Sequence, residues 1–138
     1  MRWSVLDLAD FVAIGTNDLT QDMLASDRDY LDSAEDFSAA HPAVIKAIRQ
    51  VVQAAAAGNC PVCVCGEDAG GPGFVRLLVG LGVRELSVSP TRSGRVRHGL
   101  RQTEAREATR LADAALQCDS LREVRELLQQ TRPVGARS

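Results

Sequence analysis

Two short apolar runs and one further short strand-like segment alternate along the chain with longer stretches of helical periodicity. They lie at residues 11–15, 61–65 and 84–89, and each ends beside glycine or serine. Runs of this length are typical of strands, and the first suits a strand buried on both faces of a parallel sheet. The pattern therefore predicts three strands, the first of them buried.

The helical stretches follow these runs. Apolar residues recur at intervals of three and four residues from Pro42 until Gly58, and proline suits the first position of a helix. Ser120 and Glu123 form a capping-box pattern for a last helix. We predict a surface loop over residues 26–39 and a disordered tail over residues 131–138. The predicted helices cover residues 19–25, 42–57, 74–78, 93–116 and 120–128.

An order of strand, helix, strand, helix, strand, helix implies an α/β fold with a parallel sheet. Both a doubly wound sheet and a (β/α) barrel satisfy this order. Both architectures place binding sites at the carboxyl ends of the strands. We therefore expect a candidate pocket in the loops that start at Thr16, Gly66 and Ser89.

Composition places the chain among globular proteins. Of its 138 residues 45% are hydrophobic and 25% charged, and the net charge is −2. Residues 1–70 carry about −7 and residues 71–138 about +5. Few aromatic residues accompany the arginines, which favours a solvated helix face over a nucleic-acid surface. The start shows no basic and apolar leader and no stretch reaches the ~18 apolar residues of a membrane span, so we expect a cytoplasmic protein without membrane insertion.

The cysteines offer a second chemistry. Cys60, Cys63 and Cys65 lie close together, whereas a zinc site normally has a second ligand cluster. In a strand, the backbones of Cys63 and Cys65 would be about 6–7 Å apart, at the limit for a disulfide. Free thiols are the favoured interpretation, and a thiol-based metal or redox site is the alternative.

Residues 14–21 read IGTNDLTQ and are followed by Asp27 and Arg28. This stretch resembles the signature of the phosphoenolpyruvate-utilising enzymes, which include Enzyme I of the sugar phosphotransferase system, pyruvate phosphate dikinase and phosphoenolpyruvate synthase. Residues 41–44, 65–67, 77–82 and 84–89 resemble further family segments in the same order and favour Enzyme I. The resemblance covers about residues 5–130.

The resemblance implies the last three strand–helix units of a (β/α) barrel of the TIM type, plus a C-terminal helix, over residues 1–130. It implies phosphoryl transfer from phosphoenolpyruvate, with Mg²⁺, to a histidine on another domain and then to a phosphocarrier protein. By position, Asp18 resembles a magnesium ligand, and Asn17 and Asp18 resemble contacts to the substrate phosphate. Arg28 resembles a substrate-binding arginine, and Cys65 resembles the acid that protonates the enolate to give pyruvate.

Each residue also has an ordinary structural interpretation. Asp18 suits a charge partner at a helix N-terminus, Asn17 suits a turn, and Arg28 suits a surface ion pair. Most cysteines in apolar strands are inert core residues, which we predict for Cys63. The resemblance favours the functional interpretation for Asn17, Asp18, Arg28 and Cys65.

A (β/α) barrel takes about 250 residues, so three units are expected to leave two open sheet edges. We expect a fragment, a truncated paralogue or half of a split enzyme, inactive alone and paired with a second copy or with the missing barrel half. The alternatives are a non-catalytic dimerisation remnant of Enzyme I and a domain of a dikinase-type enzyme.

Overall fold

The computed structural model describes residues 5–24, 38–66 and 71–130. A short 3-10 helix at Val5–Asp7 precedes the first strand. The predicted loop over residues 26–39 falls mostly outside these ranges, and the predicted tail does so entirely. The described elements, in chain order, are β1 (Val12–Gly15), α1 (Thr16–Leu24), α2 (Pro42–Ala57), β2 (Val62–Cys65), α3 (Pro72–Leu81), β3 (Glu85–Ser87), α4 (Pro90–Arg101), α5 (Ala105–Leu116) and α6 (Leu121–Gln130).

The three strands form one parallel sheet in the order β1, β2, β3. Val12 pairs with Val62 at one end, and Gly15 pairs with Cys65 at the other. Cys65 in turn pairs with Ser87. Each strand is followed by a helix, as is usual for parallel strands, which need a crossover connection between them. The predicted α/β class is confirmed, and the arrangement is that of a partial (β/α) barrel.

The two faces of this sheet differ. Ile14, Val62 and Val64 are buried on what we call the covered face, where they join one hydrophobic core with α2, α3, α5 and α6. Side chains alternate along a strand, so the neighbouring residues point to the opposite side, the open face. They are exposed or half-buried: Ala13, Gly15, Cys63, Cys65, Glu85 and Ser87.

The prediction that the first strand is buried on both faces is therefore wrong within the described part of the chain. Ala13 of β1 and Glu85 of β3 are exposed, whereas α2, α3, α5 and α6 contribute buried side chains to one core on the covered face. A parallel sheet covered on one side leaves its second face available to ligand or to another layer of protein.

The predicted helix over residues 42–57 is confirmed. Its first turn is capped by His41, whose Nδ1 accepts a hydrogen bond of 3.2 Å from the Ala43 N–H. The helix ends at Gly58, whose N–H bonds back to Ala54 and Ala55. His41 thus has a local structural role.

The prediction of a single long helix over residues 93–116 is wrong, because two helices, α4 and α5, cover this part of the chain. The chain leaves the helix after Arg101, where the Thr103 hydroxyl donates to the Gly99 carbonyl at 2.7 Å and satisfies a terminal acceptor. Glu104 is extended, with φ −84° and ψ 134°, and α5 begins afresh. The break lets α5 pack closely on α3: a Cβ at Gly80 would lie 1.9 Å from the Ala108 carbonyl oxygen.

The predicted capping box before α6 is confirmed. The Glu123 N–H donates to the Ser120 hydroxyl, and the Glu123 carboxylate accepts from the N–H groups of Asp119 and Ser120. Within the described ranges, no helix combines the length and apolarity needed to cross a membrane.

Candidate functional site

The end of β1 leads directly into α1. Thr16 is the first helical residue, so the predicted polar corner before a helix at Leu19 is instead the first helical turn. Thr16 is fully buried, and its carbonyl accepts a hydrogen bond of 2.6 Å from the Thr20 hydroxyl. Asn17 and Asp18 are exposed in this turn. A carboxylate here also interacts favourably with the helix dipole, so that structural interpretation of Asp18 is compatible with its position.

The Asp18 carboxylate lies back over the end of β1. Its Oδ2 is 3.4 Å from the position that a Cβ of Gly15 would occupy. Gly15 is an open-face residue, and its Cα partner across the sheet is Cys65. The Asp18 carboxylate therefore lies on the open-face side of the strand end, beside Gly15.

Cys65 is the last residue of β2 and is half-buried on the open face. Its thiol donates a hydrogen bond of 3.5 Å to the Ile14 carbonyl of β1. The sulfur therefore lies toward β1, the strand that leads directly into Asn17 and Asp18 of α1. Adjacent strands are about 4.8 Å apart, so the thiol and the Asp18 carboxylate lie at the same rim of the sheet and on the same side of it.

Two residues that sequence reasoning did not assign join β1 to β2 at this rim. The Thr16 hydroxyl donates a hydrogen bond of 3.2 Å to the Cys65 carbonyl. Gly66 has φ +140°, and a Cβ there would lie 1.9 Å from the Thr16 Oγ1. The sequence signal for this contact was a glycine directly after a strand. Such a glycine indicates a close approach of two backbones or a positive φ, which only glycine adopts without strain.

Cys63 lies on the open face one pair of residues before Cys65, where it pairs with Ala13 and Glu85. The prediction that Cys63 packs in the core is wrong: it is half-buried and outside the core cluster, because β2 turns its valines toward the helices. Partial burial, the neighbouring Cys65 and then Glu85 raise the pKa of the Cys63 thiol, against a lowering hydrogen bond from the Ser87 backbone. Cys63 is therefore held as a neutral thiol.

Arg28 and Glu67 lie outside the described residues. His98 and the α4 arginines are exposed, as expected for a solvated helix face; these arginines are Arg92, Arg95, Arg97 and Arg101.

The described ranges offer few side chains that could bind a metal ion. No group of three or more His, Cys, Asp and Glu side chains there is arranged to hold a metal ion. All four cysteines are free thiols, as predicted. Asp18 offers one hard oxygen ligand at the rim. Mg²⁺ in phosphoryl-transfer sites takes one or two carboxylates and completes its shell with substrate oxygens and water, so Asp18 fits a contributing ligand.

The sheet and its rim define a class: an α/β domain of the barrel type with polar side chains and a thiol at the strand carboxyl ends. Residues 4–105 match the family described as PEP-utilising enzyme, PEP-binding domain. The chain belongs to this family, and the resemblance seen in its sequence is confirmed.

Several curated proteins are similar to most of this chain. A multiphosphoryl transfer protein of Xanthomonas campestris is 44% identical over 86% of the chain and 14% of its own length. A phosphoenolpyruvate-protein phosphotransferase of Haloferax volcanii is 42% identical over 86% of the chain and 21% of its own length. A phosphoenolpyruvate-dependent phosphotransferase system protein of Escherichia coli is 38% identical over 84% of the chain and 16% of its own length. The chain thus spans less than a quarter of each relative.

Proposed function

We propose that this chain is a piece of the phosphoenolpyruvate-binding domain of a phosphotransferase. The observation that carries this proposal is the position of the Asp18 carboxylate and the Cys65 thiol at one rim, both toward the open face. Family membership and the names of the relatives support the reaction class. Those names also favour a phosphotransferase of the Enzyme I type over a dikinase-type enzyme.

In this proposal the chain's rim holds the two ends of the substrate. Asn17 and Asp18 bind the phosphate, and Arg28 binds a negatively charged group of the substrate. Phosphoryl transfer needs aligned donors and neutralised charge more than covalent help. Mg²⁺, held in part by Asp18, supplies that neutralisation when bound.

Cys65 then completes the reaction. The bond between the phosphorus and the enol oxygen breaks, the phosphoryl group passes to a histidine on another domain, and the enolate carbon takes the thiol proton to give pyruvate and a Cys65 thiolate. The hydrogen bond from the Cys65 thiol to the Ile14 carbonyl supports this role, because an acid must be able to present its proton before it acts. The phosphohistidine would supply a phosphocarrier protein.

The chain's share of the reaction is binding and proton donation. A complete site also requires the histidine acceptor, so we propose that the chain alone makes no pyruvate and is completed by further polypeptide. A homodimer is the other assembly that we propose, and cytoplasm is the proposed location.

A specific feature favours the interaction alternative. A groove of about 560 Å³ lies beside β3, between α3 and α4. It is lined by Leu86, Val96 and Leu100 together with Arg84 and Arg97. β3 has one strand neighbour in the described part of the chain. An apolar groove beside a strand edge suits a protein partner, so the chain would then be a dimerisation module without catalysis.

Calorimetric titration with phosphoenolpyruvate in the presence of Mg²⁺ tests the proposal. We expect weak binding that needs Mg²⁺ and falls by about tenfold or more in Asp18→Ala, equivalent to the loss of one charged contact. Asp22→Ala is the matched control, because Asp22 is exposed on the same helix away from the rim. It should bind as the unchanged chain does.

Equal binding by the two variants contradicts the assignment of Asp18. Robust pyruvate formation by the isolated chain with the phosphocarrier contradicts its need for further polypeptide. No binding at all, together with a dimer in sedimentation velocity, favours the interaction module.

A further inference from the structure

We propose that Thr16 is a positioning residue that fixes the Cys65 thiol relative to Asn17 and Asp18, and that Gly66 is its obligatory partner. The catalytic meaning of this inference rests on the proposed function. The contact itself is a property of the fold and can be tested without substrate.

The first support is a hydrogen bond between the two strand ends. The Thr16 hydroxyl donates to the Cys65 carbonyl at 3.2 Å, across 49 positions of sequence. Thr16 is fully buried. A hydroxyl buried at this point needs a partner, and its loss would leave the Cys65 carbonyl without this donor.

The second support is the backbone of Gly66. Its φ of +140° is a backbone conformation that residues with a side chain rarely adopt. A Cβ there would lie 1.9 Å from the Thr16 Oγ1, 3.2 Å from its Cβ and 3.4 Å from its backbone nitrogen. The chain just after Cys65 is therefore pressed against Thr16, and glycine is the residue that permits this approach.

The third support is the second attachment of Cys65. Its thiol donates to the Ile14 carbonyl at 3.5 Å, while its own carbonyl accepts from Thr16. Both contacts come from one short segment, which continues into Asn17 and Asp18. These two contacts therefore tie the thiol to residues 14–18, the segment that also carries these two side chains.

A buried threonine at a strand end could serve stability alone, so the test must report on the thiol. We would measure alkylation of Cys65 by iodoacetamide from pH 6 to 10, with peptide fragmentation to separate it from Cys60 and Cys63. Thr16→Val keeps the shape and removes the donor, whereas Thr16→Ser keeps the hydroxyl. Urea unfolding of each variant gives its global stability.

We expect alkylation of Cys65 in Thr16→Val to rise by about two- to tenfold at a given pH, the factor that one net hydrogen bond represents. In Thr16→Ser the rate should stay near that of the unchanged chain, and the rate at Cys118 should be unaltered in both variants. Identical Cys65 rates in Thr16→Val and the unchanged chain would overturn the inference.

A double-mutant cycle tests the partnership with Gly66. Gly66→Ala should lower the urea midpoint strongly, and it should cost much less when Thr16→Ala has removed the hydroxyl that it meets. Additive effects would overturn the contact. If Gly66→Ala does not fold, folding of the double variant supports the contact and the Thr16→Val and Thr16→Ser comparison still decides the role. These measurements use no phosphoenolpyruvate. A failed titration would therefore contradict the proposed function, whereas the contact between Thr16 and Cys65 would still be tested by alkylation and unfolding.

Discussion

The two faces of the sheet have opposite roles although they alternate residue by residue along the same strands. Val64 is fully buried against the helices, while Cys63 and Cys65 on either side of it are half-buried on the open face. Because successive side chains of a strand point to opposite faces of the sheet, adjacent residues lie in these two different environments. Buried apolar surface is therefore concentrated on one face, and the other face carries a thiol and a carboxylate.

The largest expected effect lies beneath the covered face. Ile48 of α2 has no exposed surface, so Ile48→Ala should lower the free energy of unfolding by about 2–5 kcal/mol through lost burial and a new cavity. Gln50→Ala on the same helix is the control, since Gln50 is exposed and its loss should change stability by less than about 0.5 kcal/mol. Urea unfolding measures both, and equal effects would contradict the position of the core.

A sharper comparison uses two adjacent residues of β2. Val64→Ala should cost roughly 1–3 kcal/mol, because it removes apolar surface that is fully buried. Cys63→Ala should cost less than about 1 kcal/mol, because this side chain is half-buried outside the core. The same unfolding measurement applies to both variants. A larger loss of unfolding free energy in Cys63→Ala than in Val64→Ala would mean that the open face packs against another part of the protein.

The smallest effect concerns pH. The raised pKa of Cys63 means that the folded chain keeps a proton that the unfolded chain releases. This contribution to stability is complete below the ordinary thiol pKa and is lost as the pH rises from there through the raised pKa. Glu85→Gln removes one of the causes, so the alkylation midpoint of Cys63 should move to lower pH.

Glu107→Gln, an exposed residue of α5, is the matched control for this shift. In the Glu107→Gln variant, the pH midpoint of Cys63 alkylation should equal that of the unchanged chain. A Glu85→Gln midpoint that stays with the control would show that Glu85 does not face Cys63.

Periodicity in the sequence was sufficient for most of the fold. Residues 42–57 carry a complete apolar stripe between a proline and a glycine, so both ends of α2 could be predicted. The three short segments predicted the strands, and their parallel pairing followed from the helices between them. These features depend on local patterns, which the sequence displays directly.

Features that depend on contacts between distant segments were missed. The break between α4 and α5 accompanies the close approach of α5 to Gly80 of α3. The open face could not be predicted from the strands alone, because an apolar run does not show how many layers of helix will cover it. Cys63 was misplaced for the same reason.

The candidate site was predictable as a rim but not in its details. Polar residues after parallel strands must meet at one edge, which placed Asn17, Asp18 and Cys65 together. That the Asp18 carboxylate lies over Gly15, and that Thr16 bonds to Cys65, depends on side-chain conformations that no spacing rule supplies.

The close crossing of α3 and α5 has a consequence for where this domain can be divided. The family match ends at residue 105, yet α5 lies almost wholly beyond it and supplies Leu111, Ala112 and Ala115 to the core. With a glycine at the crossing, no side chain of α3 would fill the space that α5 vacates at that point. A piece of the chain that ended at residue 105 would therefore lose part of the core that covers the sheet.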